Sequence, residues 1–494
     1  MTYSMRHIHQ GTILGLDSCV GVTRRGFLGG ALLAASGCLV KTSVRQGSGS
    51  KRWYKGMLHC HSYWSDGRAF PEQAVDAYRR LGYDFMSLTD HNRLSMREEA
   101  WRGIYETGGP WPQKATRKHA ENLLGRFPWT KSRTDKDGRL EVRLTPYAEL
   151  LERFNEPGRF LLMPGMEVTR LVGGGPREQW VHVNYVNLAA PIPSAKRAFL
   201  IQDGFRDHTV AALIASTCEE IELLARAEGC PPHLTMLNHP LAPYYDIMPQ
   251  DVIDNPDLRF FEVCNNGSVR TAIPDAAAVA GYEVDRFWDV VNAFRARAGQ
   301  PLLYATASDD AHWYAFSGST TPDDCEDSYS GDGYIRVRAE SLDAASLFAA
   351  MDRGDFYASC GLDLDEVEFD GETLRVRVPP QDGHACRVEF VVTRRGFDDR
   401  VVKTVRTEGT KDIPYVRTVP VYSPSIGAVA RSVQGRKGEG LEAQYTLGPD
   451  DLYVRARVIC DRQAPYWSWR REPPAHMFMH PPCATAWTQP YCHE

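Results

Sequence analysis

The sequence predicts an α/β fold in two parts: a barrel-like domain of alternating strands and helices over residues 51–360, and a smaller β-rich, sandwich-like domain over residues 361–494. Three observations predict it. Seven short apolar runs, each turning polar at its end, alternate with helix-like intervals between Trp53 and about residue 360, as expected of βα units around a parallel sheet or barrel. After Gly361 the texture changes to strand-like alternation broken by turn residues. The 494 residues exceed one average domain and leave room for a barrel of about 250 residues.

The first fifty residues stand apart. TRRGFL at 23–28 precedes a short, small-residue apolar stretch at 29–37 and resembles a twin-arginine export signal. ASGC at 35–38 also looks like a lipoprotein cleavage box in which Cys38 becomes the lipidated first residue; cleavage near the alanines is the alternative. The expectation is a periplasmic or extracellular protein, touching the membrane only through an anchor at Cys38. Residues 41–50, rich in Ser, Gly and Lys, read as a linker.

The seven runs are KGMLHCH (55–61), FMSLTDH (85–91), FLLMPGMEV (160–168), VHVNYV (181–186), LTMLNHP (234–240), FFEVCN (260–265) and LLYATASDDAH (302–312). In a parallel barrel, strand starts pack into the core while strand ends line one face, where active sites collect. PEQAVDAYRRLG (71–82) reads as a connecting helix, with Pro71 in its first turn and Gly82 at its C-cap. Residues 98–156 are longer than a connection needs and read as an insertion over the active face. LRVRV (374–378), CRVEFVV (386–392) and LYVRARVI (452–459) carry the strand alternation of the second domain. The tail from Arg462, rich in Pro, Trp and His, shows no period and reads as irregular.

Composition excludes some functions. With Lys+Arg 57 against Asp+Glu 63 and a net charge of -6, the chain lacks the basic surplus of a nucleic-acid binder. No apolar run is long enough to be a confident membrane span. Twelve cysteines show no paired Cys-x-x-Cys spacing and fix no redox compartment; in an exported chain, pairs such as Cys483 and Cys492 could oxidise. The oligomeric state is left open.

LHCHSYWSDG at 58–67 places His59 and His61 on one side of a strand, with Cys60 on the other. Asp310 and His312 repeat the spacing at the end of the last run. One His-x-His is weak evidence, but Asp66, Asp90, His91, Glu167, His182 and His239 also fall at or just after strand-like ends. A set of imidazoles and carboxylates so placed points to metal binding, and its composition suits Zn, Mn or Fe.

Taken together, LHCHSYWSDG, Pro71-Glu72, TDHN (89–92), Gly165-Met166-Glu167, Asn238-His239-Pro240, EVCN (262–265) and SDDAH (308–312) resemble the polymerase-and-histidinol-phosphatase (PHP) family of metallohydrolases. LFAAMDRGDFYASCG (347–361) resembles its CehA/McbA branch. The resemblance covers roughly residues 53–361. It implies a distorted seven-stranded β/α barrel holding two or three divalent ions (Mn, Zn or Fe). Carried over, His59, His61, Glu167 and Asp310 hold one ion; Glu167 bridges to a second held by His182 and His239; Asp66, His91 and His312 hold the third. His208 competes with His182, and Asp309 with Asp310, which alone shares a strand face with His312.

Paired metals lower the pKa of a bridging water so that hydroxide exists near neutral pH. The expected protein is therefore an exported hydrolase acting on a small-molecule or envelope-derived ester, with a phosphoester first and a carboxylic ester, carbamate or amide as the alternative. A non-catalytic, metal-containing envelope binding protein is the reading from another class. Glu167 and Asp310 are the residues expected to carry the chemistry. Asp90 either orients His91 or caps a turn. Arg170, Arg68, Arg93, Glu262 and Asn265 are candidate substrate contacts, with surface or structural roles as the plainer reading for the arginines.

Overall fold

The computed structural model describes residues 51–106, 115–172, 179–192, 209–241, 247–265, 284–314, 330–409, 414–465 and 483–493. The export-signal region, Cys38 and His208 lie outside the described residues. All seven apolar runs contain a strand. In chain order the strands through the first part are β1 (Arg52–Met57), β2 (Phe85–Leu88), β3 (Ala100–Gly103), β4 (Ser132–Thr134), β5 (Leu140–Leu144), β6 (Leu161–Val172), β7 (Gln179–Val186), β8 (Leu234–Leu237), β9 (Phe260–Asn265) and β10 (Tyr304–Ser308). Helices α1 (Pro71–Arg80), α2 (Arg117–Arg126), α3 (Tyr147–Phe154), α4 (Val210–Ala227), α5 (Pro249–Ile253) and α6 (Val284–Arg297) lie between them.

Helix α1 forms where it was expected. Pro71 sits at its start, where the missing N–H is no loss. The Gln73 side chain accepts from Phe70 N at 3.1 Å, and Gly82 leaves the helix at φ +74°. Its buried side, with Ala74, Val75, Ala77 and Tyr78, belongs to the main core.

The seven strands are neighbours in the order β10-β9-β8-β7-β6-β2-β1. The chain just past the two end strands also meets: Asp310 N donates to His59 O at 3.1 Å, and His61 N to Ala311 O at 2.9 Å. The arrangement departs from uniform parallel βα units, because β7 is antiparallel to both β6 and β8. Only six residues separate β6 from β7, whereas a parallel crossover needs a dozen or more. In the insertion, β3, β5 and β4 form their own small antiparallel sheet. It contacts the loop after β1, where Trp64 Nε1 donates to Thr145 O at 3.2 Å.

The sheet does not stop at the seventh strand. The later chain supplies β11 (Gly333–Ala339), β12 (Phe356–Cys360), β13 (Glu366–Phe369), β14 (Thr373–Val378), β15 (Cys386–Arg394), β16 (Val402–Gly409), β17 (Pro414–Val421), β18 (Ala428–Gln434), β19 (Leu441–Thr446), β20 (Asp451–Gln463) and β21 (Cys483–Thr488), with α7 (Ala344–Asp352) joining β11 to β12, and six of these strands extend the sheet from β1. The order past β1 is β11-β12-β21-β20-β15-β18, which makes one mixed thirteen-stranded sheet. The β-rich part is thus not built from sheets of its own alone. Strands β13-β14-β19 form a second sheet, whose Leu374, Val376 and Val378 share a core with Val388, Phe390, Val454 and Val458. The tail, expected to be irregular, supplies β21 between β12 and β20. Its CATAWT sequence is almost wholly buried, so no alternation of apolar and polar residues marks it.

A buried ion-pair network fastens α6 to β20. Arg455 Nε and Nη2 reach the two carboxylate oxygens of Asp289 at 2.8 and 2.7 Å, and Nη2 lies 2.9 Å from Asp285. The guanidinium lies 4.6 Å from the Trp288 ring centroid. The cysteines of the described residues are free thiols, Cys483 and Cys492 among them; Cys386 stands directly across from Cys460 in the β15/β20 ladder. No helix among the described residues is long and apolar enough to cross a membrane.

Candidate metal centre

The extended chain after β1 delivers the first two ligands. Cys60 N bonds to Thr89 Oγ1 at 3.2 Å and Cys60 Sγ to Ser87 O at 3.3 Å, which turns Cys60 toward β2 and leaves His59 and His61 together on the other face. Their Nε2 atoms are 3.2 Å apart. Glu167 Oε1 and Asp310 Oδ1 each lie 3.2 Å from His59 Nε2, and Asp310 Oδ1 lies 2.9 Å from His61 Nε2. His182 Nδ1 is 2.8 Å and His239 Nε2 3.5 Å from Glu167 Oε1. His312 Nε2 is 3.1 Å from Asp66 Oδ2. All nine carried-over positions converge, and all are buried except His312, which is partly exposed.

The groups differ in detail from those expected. His91 approaches Glu167 Oε2 at 2.7 Å and groups with Glu167 and His182, as well as with His61, Asp66 and His312. His61 is therefore shared between neighbouring groups, and its ring stacks on both His91 and His312 with centroids 4.4 Å apart.

The residues fit divalent ions. Bonds of roughly 2.0–2.2 Å to imidazole and carboxylate set adjacent ligand atoms about 3.0–3.5 Å apart, and most of the separations above fall there. One buried carboxylate oxygen, Asp66 Oδ1, makes no hydrogen bond. Asp66 Oδ1 instead faces His61 Nδ1 at 3.9 Å and His91 Nε2 at 3.7 Å. A buried anion without a donor is costly, and a cation held among these atoms removes that cost.

Partners behind the ligands fix their orientation. Glu262 Oε1 takes His59 Nδ1 at 2.8 Å, which turns Nε2 toward the cluster. Its Oε2 accepts from His239 N at 2.8 Å and Asn265 Nδ2 at 2.7 Å, and Ser308 Oγ also bonds to the carboxylate. Glu262 and Asn265 are therefore buried positioning residues rather than substrate contacts. His239 and Asp310 have left-handed backbones, φ +25° and +48°, a conformation that persists where surrounding bonds hold it; those of Glu262 to His239 N and of Asp310 N to His59 O do so. Glu262→Gln is expected to weaken metal binding about tenfold, measured by chelator competition, with the fold retained.

The remaining expectations divide. The Asp90 carboxylate accepts from Ser62 N, Ser62 Oγ, Ser65 N and Ser65 Oγ at 2.7–3.0 Å; it takes the turn-capping role, and His91 Nδ1 meets Thr169 Oγ1 at 2.6 Å instead. Asp309 accepts from Tyr78 OH and from Gly331, Asp332 and Gly333 N, so Asp310 alone of the pair faces the ligands. Arg170 is buried against Glu220 at 2.9 Å, which favours its structural reading over that of a substrate contact. Arg68 and Arg93 lie half-buried beside the ligands, their guanidiniums over Trp313 and Trp64. Gly67 is needed where it stands, since a Cβ would come within 2.5 Å of the His61 carbonyl.

Burial and neighbouring charge shape the protonation of the set. Burial works to depress His91, but Glu167 and Asp66 outweigh it and raise its pKa to about 9. Burial lowers His182 to about 4, which keeps that ring neutral, as a metal ligand must be. Glu167, Asp66 and Asp310 are held well below the usual carboxylate range by the surrounding histidines despite their burial. Metal uptake must displace the His91 proton below about pH 9, so affinity is expected to rise with pH up to that value. The rise should approach about tenfold per pH unit per proton released. Titration calorimetry in buffers of different ionisation heat checks the proton count.

No protein-family model matches this chain, and no curated protein matches it. Among solved structures, it is similar to a two-domain protein containing a predicted PHP-like metal-dependent phosphoesterase from Bacteroides vulgatus, with 13% identity, 83% of this chain and 90% of the other covered, and a TM-score of 0.33. It is also similar to an amidohydrolase from Chromobacterium violaceum with bound sulfate and no metal, with 14% identity, 52% and 87% covered, and a TM-score of 0.24. Similarity at this level bears on neither the reaction nor the ligands.

Proposed function

We propose that this chain is a metal-dependent hydrolase of the PHP type, with a phosphoester as its favoured substrate class. One observation carries the reading. Nine imidazole and carboxylate side chains, carried by six strands and the segments that follow them, come together with ligand atoms about 3–4 Å apart, while the buried Asp66 Oδ1 keeps no hydrogen bond. Divalent ions in such a set supply Lewis acidity and a water acidic enough to attack an ester at neutral pH.

The chain's own residues orient the site. Glu262 sets the His59 tautomer, and Asn238 donates to Glu167 Oε1 at 2.6 Å. Asp90 pins the Ser62–Ser65 turn from which Asp66 reaches His312. Adjoining ligand groups favour a tetrahedral phosphate, which offers several oxygens, over a planar carboxylic ester, carbamate or amide.

The test is turnover by purified protein loaded with Mn, Zn or Fe on aryl phosphates, phosphodiesters, aryl esters and carbamates. Phosphoester turnover that chelation abolishes and metal restores is expected. Turnover of aryl esters or carbamates alone would sink the phosphoester reading, and stoichiometric metal with no turnover would favour a binding protein. Export by the twin-arginine route, with a lipid anchor at Cys38, is part of the proposal; Arg24→Lys with Arg25→Lys is expected to retain the protein in the cytoplasm, read by cell fractionation.

A further inference from the structure

Among the described residues, arginines that are buried or half-buried around β1 to β10 are otherwise matched. Arg170 meets Glu220 at 2.9 Å, Arg143 meets Glu149 at 2.6 Å, and Arg295 donates to Val252 O at 2.7 Å. Arg68 and Arg93 are the exceptions. Both are half-buried, and among the described residues neither guanidinium has a carboxylate or carbonyl partner. Each lies over an indole instead, Arg68 at 5.3 Å from the Trp313 ring centroid and Arg93 at 5.1 Å from that of Trp64. An indole face steadies a guanidinium but takes none of its five N–H donors.

Their place gives those donors a purpose. Arg68 follows Asp66 by two residues, and its backbone N donates to His312 O at 2.7 Å. Arg93 follows His91 by two residues. Asp66, His91 and His312 belong with His61 to one ligand group, so each arginine–tryptophan pair adjoins chain that carries ligands of that group. The carboxylates at hand cannot neutralise them, because Asp66, Glu167 and Asp310 are all engaged with imidazoles. Two cations without counter-ions at a half-buried site call for an anion from outside, and the guanidinium fork matches the oxygens of a tetrahedral oxyanion.

We infer that Arg68 and Arg93 form the anion-binding side of the substrate site and select a substrate bearing a doubly charged phosphate group, in preference to a neutral ester or a singly charged carboxylate. This rests on the proposed hydrolytic reading, and the test separates the two. Inorganic phosphate and benzoate are titrated calorimetrically into metal-loaded wild type and into Arg68→Ala, Arg93→Ala, the double variant, and Arg68→Lys with Arg93→Lys. Metal content and Tm are measured beside each.

Each single alanine variant is expected to weaken phosphate about tenfold and the pair about a hundredfold, with metal content unchanged and benzoate weak throughout. The lysine pair should recover part of the loss, since charge returns without the fork. Phosphate affinity within twofold of wild type in the double variant, or no phosphate binding by the wild type, overturns the inference even if esters are hydrolysed. Arginine-dependent phosphate binding by a protein that turns over no ester leaves the inference standing and removes the hydrolytic reading.

Discussion

Asp310→Ala is expected to cost at least one bound metal ion per chain and to lower turnover on the order of a thousandfold. Outer partners of metal ligands typically contribute 10–100-fold, and Asp310 is placed among the ligands themselves. Its Oδ1 lies within 3.2 Å of both His59 and His61 Nε2, and its Oδ2 is 3.7 Å from His239 Nε2. Removing it leaves three buried imidazoles without their shared carboxylate. Asp309→Ala is the matched comparison. Its carboxylate serves Tyr78 and three backbone N–H groups, so that variant should lose stability and keep its metal. Elemental analysis of both proteins decides the matter, and unchanged metal in Asp310→Ala would refute the assignment.

Arg455→Ala should destabilise the fold by about 3–5 kcal/mol, the usual cost of removing one partner from a buried ion pair. The side chain is 1% exposed and holds Asp289 and Asp285 together across the α6/β20 junction. Arg457, 24% exposed and paired with Glu389 and Asp285, should cost about 1 kcal/mol when truncated, nearer the surface value. Urea denaturation of the three proteins measures both. The pH dependence has a definite sign. Asp285 is held below its ordinary pKa by Arg455 and Arg457 against the opposing effect of burial, so its contribution is present above about pH 4 and fades as pH falls through the lowered value. In Arg455→Ala burial meets less opposition, and the deficit should shrink as the medium is acidified.

Much of the first part was legible before folding. Strand-end polarity located seven strands of the large sheet because each run is apolar at its start and carries polar groups at its end. The i, i+2 spacing placed His59 with His61 for the same geometric reason. What was missed has identifiable causes. β21 is buried along nearly its whole length and lacks alternation. The antiparallel placing of β7 depends on a connection too short for a crossover. Glu262 read as a pocket residue because nothing in FFEVCN tells a carboxylate aimed at solvent from one aimed at the back of an imidazole. The plainer, structural reading of Arg170 is the one its partner supports, but Glu220 lies fifty residues away on α4, where local pattern could not point to it.

By itself the sequence determined which residue types could bind metal and which strand-like runs carry them, since both follow from side-chain chemistry and local period. Tertiary structure alone decided how the ligands are grouped, that Asp310 rather than Asp309 faces them, that Asp90 holds a turn, and that one sheet runs on into the later chain. Those outcomes depend on distances between segments far apart in the chain. Local pattern carries no information about such distances, whereas burial makes every unpaired donor or charge costly enough to select one arrangement.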